Sequence, residues 1–271
     1  FRNATLFESV KTLMALEPIK TILDIKGVSK TFESGTHALE RVTLKVSEGS
    51  FVALVGPSGS GKSTLLRIVA GLLSGTSGSI GHDLNDDVIA NDIGFVFQDP
   101  TLMPWATIAE NVAIPLRLRL KGLGNAEIDK RTQEVLAWVG IDAFKNAFPR
   151  ELSGGMRMRA SIARALTTQP SLLLLDEPFA ALDEFTRAQL NEDLLNLWED
   201  RRWTGIFVTH SIREAVFLAE RVVVMSPRPG RVIADIEIPF VYPRTPDLRN
   251  DHAYSDICAD ISNRLASAIT D

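Results

Sequence analysis

The chain has 271 residues, 45% of them hydrophobic and 23% charged, which is typical of a globular protein rather than a disordered, collagen-like or coiled-coil one. Its net charge of −5 offers no overall basic surface for nucleic acid. Apolar runs stay far below the roughly 18 to 20 residues of a membrane-spanning helix. The single cysteine, Cys258, cannot form an internal disulfide, which fits the reducing cytosol.

The first 20 residues differ from the rest and are interpreted as an N-terminal extension. Their apolar side chains have the spacing of an amphipathic helix over Phe7–Leu16, which Pro18 would end. The segment contains no continuous hydrophobic stretch, so it does not predict a signal peptide.

From residue 21, short apolar or alternating runs separated by Gly, Ser and Glu predict strands joined by turns. The first strands are expected at Ile22–Ile25, Ala38–Val46 and Phe51–Val55, followed by a helix over Lys62–Leu72. A strand over Ile93–Phe97 then precedes three helical patterns between residues 107 and 168.

After this helical section, strands and helices alternate. Strands are expected at Leu172–Leu175, Ile206–Val208 and Val222–Met225, and helices at Arg187–Asp200, Ile212–Ala219 and, with a less regular pattern, Ala253–Ala268. Such alternation predicts a parallel sheet covered by helices on both faces.

A glycine-rich loop joins the third strand to the first helix. It reads Gly56-Pro57-Ser58-Gly59-Ser60-Gly61-Lys62-Ser63 and matches the phosphate-binding pattern G-x-x-x-x-G-K-[ST] in its strand–loop–helix context. Glycines let backbone N–H groups surround phosphate oxygens, and the helix adds its positive dipole end. Lys62 is expected to neutralise phosphate charge and Ser63 to bind Mg²⁺, with Thr64 included in the nucleotide site. An ordinary glycine turn is the alternative.

Two acidic residues follow the apolar run Leu172–Leu175. Four apolar residues predict a buried parallel strand, and ligands bind at the carboxyl ends of such strands. Asp176 is expected to hold Mg²⁺, directly or through water, and Glu177 to act as general base toward the attacking water. A capping pair of acids before a helix is the alternative.

Between these motifs lies Leu152-Ser153-Gly154-Gly155-Met156, directly before a basic helix. Here the sequence resembles the ATP-binding cassette family, whose signature loop is L-S-G-G, usually followed by Gln. A serine N-cap and two glycines again expose N–H groups at a helix N-terminus, which can bind an anion. The resemblance implies that Ser153, Gly154 and Gly155 grip the γ-phosphate of ATP held by a second subunit.

Further motifs of that family occur in order over about residues 22–236. The resemblance implies that Gln98 reaches Mg²⁺ or the attacking water, and that His210 hydrogen-bonds the γ-phosphate. It implies that Asp183, at the end of Ala181-Leu182-Asp183, touches the partner subunit; capping of the following helix is an equally good interpretation. Phe32 would stack on adenine.

Two methionines depart from the family pattern. Met156 stands where Gln is usual, and Met158 replaces a frequent Gln. Because the loop would use Ser153 and backbone N–H groups, hydrolysis is expected to remain intact.

The resemblance also implies a fold: an α/β P-loop triphosphatase with a mostly parallel RecA-like core sheet, an antiparallel β subdomain and an inserted α-helical subdomain. The nucleotide-binding domain is expected to span residues 21–236, with the helical part at about 98–168. Residues 1–20 and 237–271 would form short extensions.

The implied function is an ATPase that uses ATP and Mg²⁺ and has no nucleic-acid partner. It would work beside a second ATPase subunit, a transmembrane permease and, indirectly, a solute-binding protein, peripherally on the cytoplasmic face of the inner membrane. Leu102–Trp105 corresponds to the place where importers of the family receive a coupling helix, although local packing of Trp105 is an alternative.

Together with Met225–Arg231, that segment looks like the branch importing nitrate, sulfonates, taurine and bicarbonate. Arg228 and Arg231 themselves are interpreted as solvated turn residues. An exporter or lipid-extraction ATPase is the main alternative. A cassette acting on DNA ends or ribosomes would need a long coiled-coil insertion or a second cassette, and neither fits this sequence.

Overall fold

A computed structural model of the chain describes residues 20–82, 93–120 and 122–270. The helix expected over Phe7–Leu16 lies outside these residues. None of the helices within the described ranges is long and apolar enough to cross a membrane.

The strands of the described residues include all seven that the runs predicted, although β1 extends well beyond its run. They are β1 Thr21–Thr31, β2 His37–Ser47, β3 Phe51–Val55, β4 Ser77–His82, β5 Ile93–Val96, β6 Leu172–Asp176, β7 Thr204–Thr209, β8 Arg221–Met225 and β9 Val232–Glu237. Two of them, β4 and β9, were not predicted, because β4 is rich in glycine and serine and β9 alternates between half-buried and exposed residues.

The expected helices are present, with ends that differ by a few residues. They are α1 Lys62–Val69, α2 Ile108–Arg119, α3 Asn125–Trp138, α4 Gly154–Leu166, α5 Glu184–Arg201, α6 Ile212–Leu218 and α7 His252–Thr270.

A six-stranded sheet in the order β5-β6-β7-β3-β8-β9 forms the centre of the molecule. Five strands run parallel, and β9 pairs with β8 antiparallel at the edge. All residues of β3 and β6 are buried, as expected for parallel strands covered on both faces. One face packs against α4 to α7, and the other against α1 and the second sheet.

The second sheet is antiparallel, in the order β2-β1-β4. Its apolar side chains, such as Ile25 and Val42, join the same core cluster as Val52 and Leu54 of β3. This sheet therefore holds the loop that follows β3 from one side.

Helices α2 to α4 are inserted between β5 and β6. Thr107 begins α2 with a capping box, in which its side chain accepts a hydrogen bond from Glu110 N–H and the Glu110 carboxylate accepts one from Thr107 N–H. Leu136 and Val112 join the main core cluster, so the insertion packs directly on the sheet's helical layer.

The residues after β9 pack back onto the core. The guanidinium group of Arg244, 5% exposed, donates hydrogen bonds to the carbonyls of Val216, Phe217 and Ala219 at the end of α6, and also to Phe240. Tyr254 is fully buried. This segment thus closes off the C-terminal end of α6.

Candidate active site

The candidate site lies at the carboxyl edge of the central sheet. The loop after β3 begins at Gly56, β6 ends in Asp176, and β7 is followed by His210. Val55 pairs with Thr209, and Asp176 pairs with Val208, so neighbouring strands end at the same level. Parallel pairing therefore brings together residues that are more than 100 positions apart in sequence.

The phosphate loop takes a shape that requires glycine at particular positions. Gly61 has φ +88°, and a Cβ there would lie 2.8 Å from the carbonyl oxygen of Ala38. A Cβ on Gly56 would lie 2.8 Å from the carbonyl oxygen of Met225. The loop is therefore seated directly against β2 and β8.

Lys62 is 4% exposed and lies under this loop. Its Nζ donates to the carbonyl oxygens of Gly56 and Pro57, at 2.9 and 3.0 Å, and lies 3.8 Å from Glu177 Oε1. Burial lowers the pKa of Lys62, and the two nearby carboxylates partly offset this effect. The ammonium group is thus a desolvated cation directly beside the loop.

Ser63 and Asp176 are in direct contact. The Ser63 hydroxyl donates to Asp176 Oδ1 at 2.6 Å, and Asp176 is 5% exposed. Burial raises the pKa of Asp176, while the hydrogen bond from Ser63 lowers it. A hydroxyl and a desolvated carboxylate are oxygen ligands that suit Mg²⁺, which commonly completes its shell with phosphate oxygens and water. These two residues therefore fit that ion.

Glu177 has a positive φ of 47°, which is costly for a residue with a side chain. Its N–H donates to the carbonyl oxygen of Val208, so the neighbouring strand holds this conformation. The carboxylate reaches Lys62 on one side and lies 3.6 Å from His210 Nδ1 on the other. The structure thus brings Lys62, Glu177 and His210 into one cluster.

Gln98 shares a cavity with Asp176. It lines a cavity of about 660 Å³ together with Ser63, Asp176 and Gly154 of the signature loop. Gln98 itself is exposed. Met158 of α4 also lines the cavity, so this departure from the family pattern contributes an apolar wall.

The signature loop and Asp183 make local contacts. Met156 N–H donates to Ser153 Oγ at 3.3 Å, which caps α4, and Thr186 N–H donates to Asp183 Oδ1 at 2.9 Å, which caps α5. The hydrogen bonds from Thr186 lower the pKa of Asp183. Capping by Asp183, one of its two interpretations, is therefore observed.

The two capped helices touch at their first turns. A Cβ on Gly155 would lie 2.8 Å from Thr186 Cγ2, and one on Gly154 would lie 3.1 Å from Leu182 Cδ2. The glycines of the signature loop thus let α4 and α5 approach closely.

Phe32 lies outside the cluster, in the turn after β1. It is 37% exposed, and Lys30 Nζ lies 5.3 Å from its ring centroid. Its ring is accessible to a flat ligand.

A series of two hydrogen bonds and one ion pair, which begins at the residue before His210, was not predicted. Thr209 Oγ1 donates to the buried Glu214 at 2.5 Å, and the second Glu214 oxygen lies 3.6 Å from Arg187 Nε. Arg187 Nη2 in turn donates to the carbonyl oxygen of Leu182, beside Asp183. The only signal in the sequence was Thr209, directly before His210. No local sequence pattern connects Thr209 to Arg187.

A phosphate loop and an acidic strand end at the carboxyl edge of a mostly parallel sheet define a nucleoside triphosphatase of the P-loop class. Residues 39–180 match the family described as ABC transporter. The chain belongs to this ATP-binding cassette family and is an ATPase, which confirms the resemblance seen in the sequence.

Similar proteins cover most of the chain. The aliphatic sulfonates import ATP-binding protein SsuB of Bacillus cereus is 43% identical over 241 residues, 87% of this chain and 92% of the relative. The taurine import ATP-binding protein TauB of Rhizobium johnstonii is 48% identical over 217 residues, 79% of this chain and 82% of the relative.

Solved cassettes share the fold. The dimeric structure of a post-hydrolysis state of the ATP-binding cassette MJ0796, bound to ADP and Pi, is 37% identical with a TM-score of 0.71. The match covers 81% of this chain and all of that one. The predicted fold, with its parallel core sheet, antiparallel sheet and inserted helices, is confirmed.

Proposed function

We propose that this chain is the ATP-hydrolysing subunit of an importer for a small anionic or zwitterionic solute, with sulfonates and taurine as the first candidates. The observation that carries the enzymatic part is the cluster of Lys62, Glu177 and His210 at the ends of three adjacent strands. The import part is supported by the two relatives whose names specify sulfonate and taurine import. Nitrate and bicarbonate remain alternative solutes of the same class.

In the proposed reaction, water attacks the γ-phosphate and ATP becomes ADP and inorganic phosphate. Glu177 takes the proton of that water as general base, a role supported by its carboxylate lying between Lys62 and His210. Lys62 neutralises phosphate charge, and His210 orients the γ-phosphate by a hydrogen bond. The backbone N–H groups of residues 56–64 hold the remaining phosphates.

Ser63, Asp176 and Gln98 would hold Mg²⁺, which when bound neutralises phosphate charge. Their oxygen atoms support this assignment, since Ser63 and Asp176 are in contact and all three residues line one cavity. Phe32 would stack on adenine, and its exposed ring supports that role.

A second cassette subunit would complete the site. Ser153, Gly154 and Gly155 of one copy would bind the γ-phosphate held by the other, and Asp183 would contact the partner while capping its own helix. ATP would thus close the pair, and hydrolysis would reopen it. The proposed domain spans residues 21–236, with its helical part at about 98–168 and extensions at 1–20 and 237–271.

The membrane permease would dock near Leu102–Trp105, on the cytoplasmic face of the inner membrane. Trp105 is 76% exposed, which argues against its alternative interpretation as a locally packed side chain. A solute-binding protein would deliver the solute to that permease.

The test of import is reconstitution of the chain with its permease and solute-binding protein in liposomes. We expect taurine-loaded or sulfonate-loaded binding protein to stimulate ATP hydrolysis and ATP-dependent uptake, and the Glu177→Gln complex to do neither. ATP-driven movement in the opposite direction, without a binding protein, would identify an exporter instead.

A further inference from the structure

A second loop, residues 226–231, lies against the phosphate loop. A Cβ on Gly230 would lie 1.9 Å from the carbonyl oxygen of Ser60, so only glycine fits there without movement of the backbone. Gly230 N–H donates to Ala38, and the Gly230 carbonyl accepts from Glu40 N–H. The 226–231 loop is therefore hydrogen-bonded to β2, and Gly230 packs against the backbone of the phosphate loop.

The 226–231 loop is also closed on itself. Ser226 and Arg231 are linked by a backbone hydrogen bond, and Arg231 N–H also donates to Ser226 Oγ. The Ser226 hydroxyl lies 2.9 and 3.0 Å from the carbonyl oxygens of Pro227 and Pro229. The side chains that this loop carries are thus attached to an ordered support.

Its two arginines have different surroundings. Arg231 Nη2 lies 2.6 Å from Glu40 Oε2, a paired charge. Arg228 is exposed and has no carboxylate within ion-pair distance among the residues that the structure describes. Its Nη2 lies 3.2 Å from the position that a Cβ on Gly59 would occupy. Gly59 has φ +78° and belongs to the phosphate loop.

We propose that Arg228 is a further nucleotide-binding residue, whose guanidinium group contacts the phosphate groups held by the loop. A guanidinium presents several N–H donors in a fixed plane and suits phosphate oxygens. Lys62 of the phosphate loop already contacts Glu177 and two carbonyl oxygens, so a further cation can neutralise added phosphate charge. This inference rests on the proposed assignment of the loop as the nucleotide site.

The test is calorimetric titration of the full chain with MgADP, which is not hydrolysed. We expect Arg228→Gln to raise the Kd roughly three- to tenfold at low salt. Arg231→Gln, which removes the same charge from the same loop, should leave the Kd unchanged. Arg228→Lys should recover part of the affinity. The effect of Arg228→Gln should shrink at high salt, because an exposed charge is screened.

Other outcomes distinguish a failure of the Arg228 proposal from a failure of the nucleotide-site assignment. Loss of binding in Lys62→Met with none in Arg228→Gln would overturn the role of Arg228 and leave the site assignment standing. Equal weakening by both loop arginine variants, independent of salt, would mean that the loop was disturbed and would also overturn it. Unchanged binding in Lys62→Met would contradict the site assignment itself.

Discussion

Two buried cations, Lys62 and Arg244, lie in two regions of the same molecule and are used differently. They are 4% and 5% exposed, and burial lowers the pKa of each. Arg244 directs its donors to four backbone carbonyls, three of them at the end of α6, and its guanidinium carbon lies 4.1 Å from the Tyr242 ring centroid. Lys62 faces two loop carbonyls and the carboxylates that surround it.

The two cations differ in whether a ligand can replace the groups that they contact. The carbonyls around Arg244 belong to the end of α6 and to the tail that packs against it, so its hydrogen bonds are structural. Lys62 lies beneath a loop whose residues Ser58 and Gly59 are exposed, so a phosphate can compete for its ammonium group. Burial of a cation thus costs free energy in both regions, and at Lys62 the loop carbonyls and the nearby carboxylates offset that cost only in part.

The largest expected effect tests whether the Lys62 region is a reaction site. Glu177→Gln should lower steady-state ATP hydrolysis by about 10²–10⁴-fold, because the general base is lost while shape is kept. Its thermal midpoint should stay near that of the wild type, which differential scanning calorimetry would check. An unchanged rate of phosphate release would refute the assignment.

The next largest effect is a loss of stability expected on substitution of Arg244. Arg244→Met should lower the free energy of unfolding by about 3 kcal/mol, because several buried carbonyls lose their donor. Urea unfolding followed by circular dichroism measures this change, and Arg244→Lys should restore a part of it. If both variants matched the wild type, the tail would not stabilise α6.

Unlike Arg244→Met, the Lys62→Met variant should not lose stability. It removes a desolvated cation whose hydrogen bonds and nearby carboxylates offset its burial only in part, so stability at neutral pH should be equal or up to about 1 kcal/mol higher. The same urea experiment, run beside Arg244→Met, provides the comparison. A loss comparable to that of Arg244→Met would make Lys62 a structural cation as well.

A pH dependence follows from Asp176, whose pKa is raised by burial. A raised pKa means that the folded state binds the proton more tightly, so the carboxyl favours folding below about pH 4 and loses that contribution as the pH rises through its folded value. Asp176→Asn should therefore gain stability relative to the wild type between acidic and neutral pH. Parallel stability curves for both proteins would contradict this expectation.

The smallest effect on stability is expected at an exposed ion pair, which serves as a control for the buried cations. Arg264 and Asp260 form an exposed pair on α7, with side chains 51% and 52% exposed. Arg264→Gln should change the free energy of unfolding by less than about 0.5 kcal/mol. A larger loss would show that charges on α7 matter beyond the buried contacts of Arg244.

The fold and the phosphate-binding half of the site could be predicted because their signals are contiguous. Gly56–Ser63 and Leu172–Glu177 each contain their own pattern, and parallel pairing then determines that they meet. The environment of Arg244 could not be predicted, because three of its four partners are backbone carbonyls more than 20 residues away. Every residue has a backbone carbonyl, so the residue types do not show which carbonyls Arg244 contacts.

The proximity of Arg228 to Gly59 could not be predicted for a similar reason. Sequence analysis interpreted Arg228 as a solvated turn residue, and it is indeed exposed. Its position beside the phosphate loop results from β8 lying next to β3 and from the missing side chain of Gly230. Neither fact can be deduced from residues 226–231 alone.

The positive φ of Glu177 has a consequence for laboratory evolution of this protein. A side chain in that conformation costs about 1 kcal/mol, and glycine would remove the cost. A library selected only for resistance to heat would therefore be enriched in glycine at this position, and the survivors would lose their ability to turn over ATP. A selection for thermostable variants therefore has to select for ATP hydrolysis as well.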